Sequence, residues 1–354
     1  MNILVISLAG IGDTLFATPL IHELRANYPG ARIDALVLWT GSRNLLEGNP
    51  HLNSIHQKNL MAVGKAESFK FLWQLRRQKY DLSINTHPQS RIHYRAVARV
   101  INAPVRVSHE YDTSGAWDRF LVNRTLKQDY ARHAVENNLA LLDTIGAQRR
   151  LPRHEYEVYL SPADLKWAED FIARHNWTGR KRLGIHVGSG GTKNLSLRRW
   201  PLDHYLALLK ELRRSHPELA VLLFGGPGEE EDHQMIRARA DPGQVLVAET
   251  PSLRQAAALL KQCDLFLSVD TALMHVAAAM KVPKLAVIET PTWNKVIEPY
   301  GQAFTLIRNP AVAGRNLDYY RYDGRGIQGS PTELRRCMSS VTVDAVSRTL
   351  KELL

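Results

Sequence analysis

The segment 268–279 holds the residue types most suggestive of chemistry, because an aspartate, a threonine and a histidine follow an apolar run directly. The run predicts a buried strand ending at Asp270, and the small residues after it predict a helix beginning at Thr271 and Ala272. Backbone N–H groups at a helix start bind anions, and His275 shares a helix face with Thr271. Caps and a core histidine would explain each residue singly. Their occurrence together favours an anion site formed by Asp270, Thr271, Ala272 and His275.

A carboxylate stands near the first apolar run, where Gly10, Gly12 and Asp13 open another predicted helix. Glycines permit a tight turn, and a carboxylate there can remove the proton of an attacking hydroxyl. Aspartate is also a favoured helix cap, so capping and catalysis both stay open. The spacing differs from the Gly-x-Gly-x-x-Gly fingerprint, which argues against a dinucleotide cofactor.

Two glycine-containing loops follow predicted strands of the second half. In the first, Ser189, Gly190 and Lys193 precede Arg198, and loop N–H groups with nearby cations suit a phosphate better than a solvated basic loop. In the second, Glu229 and Glu230 follow a Gly-Gly-Pro turn. Either glutamate can accept hydrogen bonds from ribose, although acidic residues also favour the first turn of any helix.

Alternation of short apolar runs with amphipathic stretches predicts an α/β protein with two parallel sheets. We expect an N-terminal domain over 1–160, a linker near 146–182, a second domain over 180–330 and a C-terminal helical segment over 331–354 that packs back on the first domain. Parallel sheets bind ligands at the carboxyl ends of their strands. The predicted strands are 3–8, 32–38, 54–57, 81–85 and 105–108, then 183–187, 220–224, 245–247, 265–269 and 284–288.

The composition limits which classes of function are compatible with this chain. The net charge of +11 favours anionic partners, but the basic residues are scattered and form no nucleic-acid module. No apolar run is long enough to span a bilayer. The two cysteines, Cys263 and Cys337, are far apart, which excludes a disulfide framework and fits a cytoplasmic location.

The chain resembles the heptosyltransferases of glycosyltransferase family 9 over nearly its whole length. The resemblance is carried by motifs that occur in the family's order: Gly12-Asp13, Arg106-Val107, Gly188-Ser189, Arg198-Arg199-Trp200-Pro201, Gly225-Gly226-Pro227, Asp270-Thr271-x-x-x-His275 and Thr290-Pro291-Thr292. Arg198 stands where the family usually has lysine, and Lys193 can supply an ammonium instead.

The resemblance implies the GT-B fold, in which two Rossmann-like domains face each other across a cleft. It implies an inverting transfer of a sugar, heptose from ADP-heptose above all, to a lipopolysaccharide core or related glycan, without a metal or cofactor. Asp13 would be the general base, with Gly12, Thr14 and Arg91 on the acceptor side. The donor residues would be Ser189, Gly190, Lys193, Arg198, Glu229 or Glu230, Asp270, Thr271, Ala272 and His275. A lipid-linked acceptor also implies peripheral contact with the cytoplasmic face of the inner membrane.

Two alternatives stay open on the residues alone. A sugar-nucleotide epimerase of similar architecture would act without an acceptor. A non-catalytic nucleotide- or glycan-binding protein would be stabilised by its ligand and form no product.

Overall fold

The computed structural model describes residues 1–241, 243–322 and 324–354, which divide into two compact units. Unit 1 comprises Met1–Tyr159, Lys295–Tyr300 and Tyr322–Gly324. Unit 2 comprises Leu160–Asn294, Gly301–Arg321 and Arg325–Leu354. Each unit contains one parallel sheet with helices between its strands, which confirms the predicted fold class.

The sheet of unit 1 has six strands in the order β3-β2-β1-β4-β5-β6, all parallel. The central strands are apolar and buried, as strands covered on both faces must be. The strands are β1 (Asn2–Ser7), β2 (Arg32–Val37), β3 (Ser54–Gln57), β4 (Leu82–Asn85), β5 (Val105–Glu110) and β6 (Arg124–Lys127). The helices are α1 (Ile11–Leu15), α2 (Thr18–Asn27), α3 (Thr40–Leu46), α4 (Lys65–Arg76), α5 (Ile92–Ile101), α6 (Ala116–Leu121) and α7 (Ala134–Ala140).

The sheet of unit 2 also has six parallel strands, in the order β9-β8-β7-β10-β11-β12. Counted along the chain, this is the strand order of unit 1. The strands are β7 (Arg182–His186), β8 (Ala220–Phe224), β9 (Val245–Val247), β10 (Leu265–Ser268), β11 (Lys284–Ile288) and β12 (Thr305–Ile307). The helices are α8 (Pro162–Arg174), α9 (Leu202–Ser215), α10 (Glu230–Arg239), α11 (Leu253–Leu260), α12 (Ala272–Ala279), α13 (Asn316–Tyr319), α14 (Pro331–Ser339) and α15 (Val343–Leu353).

The prediction that the C-terminal segment packs on the first domain is wrong, because the structure places this segment in unit 2. Val346 and Leu350 are completely buried in the core that covers the sheet of unit 2. Helix α15 contacts α9 and the neighbouring strands β11 and β12. The apolar residues of α15 form a stripe at helical spacing, but such a stripe alone does not specify which surface it covers.

The predicted linker contains helix α8, which the sequence analysis missed. Ser161 caps this helix by accepting a hydrogen bond from the N–H of Asp164, and Pro162 occupies its first turn. Arg254 of α11 then binds the Asp164 carboxylate, with Nη2 2.7 Å from Oδ2. The Ser-Pro-x-Asp pattern is a recognised helix start, so the sequence held this signal.

Two strands at sheet edges were also missed. The side chains of β6 are mostly exposed and polar, and β12 has only three residues. An edge strand buries little of its surface and therefore lacks the apolar run that identifies central strands. The helix predicted to open at Gly10, Gly12 and Asp13 is divided into α1 and α2.

Helices that combine the length and the apolar content needed to cross a bilayer are absent from the described part of the chain.

Candidate functional site

The predicted donor residues lie at one edge of the sheet of unit 2, at the carboxyl ends of its strands. Ser189 follows β7, Glu229 follows β8, and Asp270 follows β10. Parallel strands end at a common edge, so residues distant in sequence come together there.

Asp270 lies at the centre of this edge and is buried. Its Oδ2 accepts hydrogen bonds from Arg198 Nη1 and from Thr292 Oγ1, both at 2.7 Å. Arg198 Nη1 also lies 3.2 Å from Thr292 Oγ1, and Thr290 Oγ1 lies 2.9 Å from Thr292 Oγ1. The carboxylate therefore holds a buried guanidinium in a fixed position.

Arg198 retains hydrogen-bonding capacity in this arrangement. Its Nε is buried and has no hydrogen-bond partner among the described residues. Its Nη2 faces the loop at Gly190, where an added Cβ would lie 3.8 Å from that nitrogen. An unpartnered buried donor is costly, and an anion in the glycine loop would satisfy it.

Thr271 is the N-cap of α12, and its hydroxyl accepts a hydrogen bond from the N–H of Met274. The hydroxyl also lies 3.1 Å from Nδ1 of His186, at the end of β7. Burial, with the positive charges of neighbouring groups, lowers the pKa of His186 to about 3, so the ring is neutral at pH 7. The half-buried Ala272 begins the helix, and His275 is buried within it.

Ser189 and Lys193 have roles within the loop itself. Ser189 is buried, and its hydroxyl donates to the carbonyl of Leu195 at 3.0 Å. Lys193 has a left-handed backbone with φ 57°. Its exposed ammonium donates to the carbonyl of Arg325 at 3.2 Å and lies 5.8 Å from the ring centroid of Tyr320. The ammonium is thereby directed to a neighbouring loop.

The structure distinguishes between the two candidate glutamates. Glu229 is buried, its Oε2 accepts from the N–H of Gly226 at 2.9 Å, and its Oε1 lies 2.8 Å from Arg199 Nη2. Gly188 permits this position, since an added Cβ would lie 2.3 Å from the Glu229 side chain. Glu230 is exposed on the first turn of α10.

Three further residues lie at this edge: Arg199 and Thr292, which the sequence motifs contain without an assigned role, and His186, which directly precedes the glycine loop. Arg199 binds both Glu229 and Asp232, the latter at 3.0 Å. Adjacent arginines on one loop look equivalent in sequence, and only the fold directs Arg198 to Asp270 and Arg199 to Glu229.

Asp13 lies at the corresponding edge of unit 1, in the turn of helix that follows β1. Its side chain is half-buried, and its Oδ2 accepts a hydrogen bond from the N–H of Gly10 at 2.7 Å. An added Cβ at Gly10 would lie 2.8 Å from that oxygen. The glycine therefore permits the carboxylate to fold back on its own helix start, as a cap does.

The surroundings of Asp13 are aromatic. Burial raises the pKa of the Tyr94 hydroxyl, and the negative charge of Asp13 raises it further. Burial also raises the pKa of Tyr156 well above its ordinary value, with a smaller contribution from Asp13. Both phenols are neutral at pH 7.

The other predicted acceptor-side residues have structural contacts. Thr14 is completely buried, and its hydroxyl lies 2.7 Å from that of Ser42, so it fixes α1 to α3. Gly12 is buried in α1. Arg91 is exposed before α5, and its Nη2 donates to the carbonyl of Gly324.

Three possible metal ligands, His22, His51 and Glu157, lie together elsewhere in unit 1, with ligand atoms within 4.8 Å of one another. His22 Nδ1 is 2.6 Å from Glu157 Oε1, and the two imidazole rings stack with centroids 3.7 Å apart at 16°. Imidazole binds a metal through a ring nitrogen, in the plane of the ring. Nearly parallel stacked rings cannot both meet that requirement for one ion, so the cluster is a hydrogen-bonded network.

Known proteins show the same sequence pattern. Residues 68–320 match the sequence profile of glycosyltransferase family 9 (heptosyltransferase). The chain is 26% identical over 291 residues to lipopolysaccharide heptosyltransferase 3 of Escherichia coli, which covers 78% of this chain and 79% of that protein.

Solved structures show the same fold. The chain is similar to the E. coli ADP-heptose lps heptosyltransferase II, with a TM-score of 0.73, 23% identity and coverage of 100% of this chain and 98% of that one. It is also similar to the E. coli heptosyltransferase WaaC with ADP-2-deoxy-2-fluoro heptose, with a TM-score of 0.70, 20% identity and coverage of 99% of both chains. These likenesses identify the two-domain α/β fold as GT-B.

Proposed function

Because the chain belongs to glycosyltransferase family 9, the heptosyltransferase family, we propose that it transfers heptose from ADP-heptose to a lipopolysaccharide core acceptor, with inversion. The proposal draws on the relatives, which include a lipopolysaccharide heptosyltransferase and an enzyme solved with an ADP-heptose analogue. Family membership favours this reaction over the epimerase and the non-catalytic alternatives.

The buried Arg198–Asp270 pair is the observation that carries the proposal. Asp270 fixes one edge of the guanidinium. The buried Nε has no partner in the part of the chain that the structure describes, and Nη2 faces the glycine loop. A diphosphate placed between this loop and the start of α12 would gain a charge-assisted hydrogen bond and the N–H groups of the helix. Arg198 would then stabilise the leaving ADP as negative charge develops on it.

We assign general-base catalysis to Asp13. The acceptor hydroxyl oxygen forms a bond to the anomeric carbon, the bond from that carbon to the diphosphate oxygen breaks, and the hydroxyl proton passes to the Asp13 carboxylate. Attack from the face opposite the leaving group inverts the configuration. The hydrogen bond from Gly10 fixes the carboxylate for this step.

Ribose is assigned to Glu229 rather than Glu230. Glu229 is held at the strand edge by Arg199 and Gly226, whereas Glu230 is exposed on the helix. Ser189, Gly190, Lys193, Thr271, Ala272 and His275 complete the proposed donor site, with Ser189, Thr271 and His275 positioning its backbone. On the acceptor side, Gly12 and Thr14 position α1, and the exposed Arg91 is available to an anionic group of the acceptor.

We place the reaction at the cytoplasmic face of the inner membrane, where a lipid-linked acceptor would be embedded. No metal or other cofactor is required in this proposal, since the guanidinium supplies the positive charge. Activity is therefore expected to be unchanged after treatment with EDTA. Loss of activity on chelation, restored by a divalent metal, would contradict this part of the proposal.

The experiment is an incubation of the protein with ADP-heptose and a core acceptor that lacks the heptose. We expect ADP release together with an acceptor heavier by one heptose, and nuclear magnetic resonance should show inverted anomeric configuration. GDP- and UDP-sugars serve as control donors in parallel incubations. Conversion of the donor without acceptor would indicate an epimerase, and nucleotide-dependent stabilisation without any product would indicate a binding protein.

A further inference from the structure

Large apolar side chains are exposed on one part of unit 1. Trp117 is 74% exposed, Met61 65% and Phe120 61%, and Phe69, Ile92 and Trp73 are also more than a third exposed. Exposed apolar residues scattered singly are ordinary, whereas a group of them indicates an interaction site.

These residues lie on neighbouring elements. Helix α5 contacts both α4 and α6. On α4, the rings of Phe69 and Trp73 stack with centroids 5.7 Å apart. On α6, Trp117 and Phe120 are one turn apart and share a face. We call these four residues the aromatic surface.

Arginines connect the two parts of the aromatic surface through α5. Arg76 lies over the Trp73 ring at 4.9 Å and donates to the carbonyl of Val100 at 3.4 Å. The adjacent Arg99 lies over the Phe120 ring at 5.2 Å. The surface is therefore continuous from α4 to α6 and alternates aromatic rings with guanidinium groups.

Further cations surround it. Lys65, Lys70, Arg77 and Arg119 are exposed on the same helices or directly after α4. The acidic residues of α4 and α6 are already paired, Glu67 with Lys58 and the buried Asp118 with Arg95. The charge that remains on α4 and α6 is therefore positive.

Trp117 of the aromatic surface lies at the edge of the sheet that carries Asp13, together with the exposed Met61 and Ile92. Met61 follows β3, Ile92 begins α5 after β4, and Trp117 lies in the first turn of α6 after β5. Parallel strands end at the same edge, where Asp13 follows β1. Tyr94, two residues after Ile92, is close enough to Asp13 for its charge to raise the phenol pKa.

We propose that the aromatic surface of unit 1 binds an anionic phospholipid bilayer, with Trp117 and Phe120 inserted at the headgroup level. This inference rests on the proposed function, because it identifies the surface that brings Asp13 to a lipid-linked acceptor. Tryptophan and phenylalanine side chains partition to the membrane interface, and flanking lysine and arginine side chains bind anionic headgroups. The exposed rings and cations of the aromatic surface offer both contributions at once.

The test is co-sedimentation of the full chain with vesicles, without donor or acceptor. We expect binding to mixed phosphatidylglycerol–phosphatidylcholine vesicles, weaker binding to phosphatidylcholine alone, and a decrease at high salt. The double variant Trp117→Ser/Phe120→Ser should bind the mixed vesicles at least about tenfold more weakly. Lys70→Glu/Arg119→Glu should lose the preference for phosphatidylglycerol.

The matched control is Met235→Ser, which removes an apolar side chain, 42% exposed, from unit 2 and should bind like the unsubstituted protein. Thermal unfolding of each variant verifies folding. Equal vesicle binding by the double variant and the unsubstituted protein would overturn the proposal. So would a dimer, or a complex with an RNA oligonucleotide, that the double variant no longer forms, since either would assign the surface to another partner.

Vesicle binding is measured without turnover, so its outcome is independent of the transferase assay. If the protein binds vesicles but transfers no heptose, the proposed membrane surface is supported and the proposed reaction is contradicted. If the protein transfers heptose to a delipidated acceptor but does not bind vesicles, the proposed reaction is supported and the proposed membrane surface is contradicted.

Discussion

The two units share a strand order, yet the edges at the carboxyl ends of their strands differ in charge. After β10 of unit 2 comes the buried Asp270, which forms an ion pair with the buried Arg198. The corresponding strand of unit 1 is β4, which is followed by the buried His87 and Gln89. Burial lowers the pKa of His87 well below its ordinary value, so this ring is neutral.

The loops after the first strand of each unit also differ in the charged group that they present. Unit 1 presents the half-buried carboxylate of Asp13, held by a backbone N–H. Unit 2 presents a glycine loop that faces the guanidinium of Arg198. One topology thus supports a cationic edge suited to a diphosphate and an edge with a carboxylate suited to removing a proton. The fold supplies the positions, and a few side chains determine which ligand each edge accepts.

The largest expected effect tests the carboxylate of unit 1. We expect Asp13→Asn to lower kcat by at least about two orders of magnitude, within the range for acid–base groups, while leaving ADP binding unchanged. ADP release during turnover and calorimetric titration with ADP measure the two quantities. Near-normal turnover would mean that Asp13 is only a helix cap, which is its other possible role.

The buried carboxylate of unit 2 should instead affect stability. Asp270→Asn leaves the Arg198 guanidinium buried without a counter-charge, and we expect the free energy of unfolding to fall by about 3 kcal/mol. Asp13→Asn is the matched control and should change it by less than about 1 kcal/mol, because its carboxylate is half-buried. Urea denaturation of both variants measures the difference. Equal decreases in the free energy of unfolding of the two variants would contradict the expected difference between the two aspartates.

Substitution of the cation should affect donor binding. Arg198→Ala is expected to raise the donor KM about tenfold or more, since a charge-assisted hydrogen bond is lost. Arg198→Lys keeps the charge and should recover most of the affinity if the positive charge matters more than the planar fork. Thermal unfolding separates this effect from the loss of the Asp270 partner. An unchanged KM in Arg198→Ala would exclude the residue from the donor site.

Acid should affect the two units to different extents, and this is the smallest effect. Burial lowers the pKa of His51, His109 and His133 of unit 1 to about 4 in each case. Below pH 6.5 the unfolded chain therefore binds protons that the folded unit does not, so the free energy of unfolding falls between pH 6.5 and 4. His186 and His233 make the same contribution in unit 2, where fewer such histidines occur among the described residues.

Hydrogen exchange at pH 7 and pH 4.5, corrected for intrinsic rates, measures this contrast. Unit 1 should lose protection first. His133→Asn should reduce the pH dependence of unit 1. Earlier loss of protection in unit 2 would contradict the assignment of acid sensitivity to the buried histidines.

The sequence determined much of the fold, because central strands of a parallel sheet are apolar along their whole length. The strand predicted at 220–224 matches β8, and 284–288 matches β11. Edge strands such as β6 lack this pattern because most of their side chains face solvent. The site edges could be predicted as well, since the residues that follow strands must lie at one edge of the sheet.

What only the tertiary structure decided was the partner of each side chain. The motifs contain Arg198 and Arg199 side by side, but their ion pairs with Asp270 and Glu229 join residues far apart in the chain. The same holds for α15, whose apolar stripe is visible in sequence while the core that receives it is not. Local periodicity specifies which face of an element is buried. The surface or charge that meets that face depends on contacts between distant segments, and these exist only once the chain has folded.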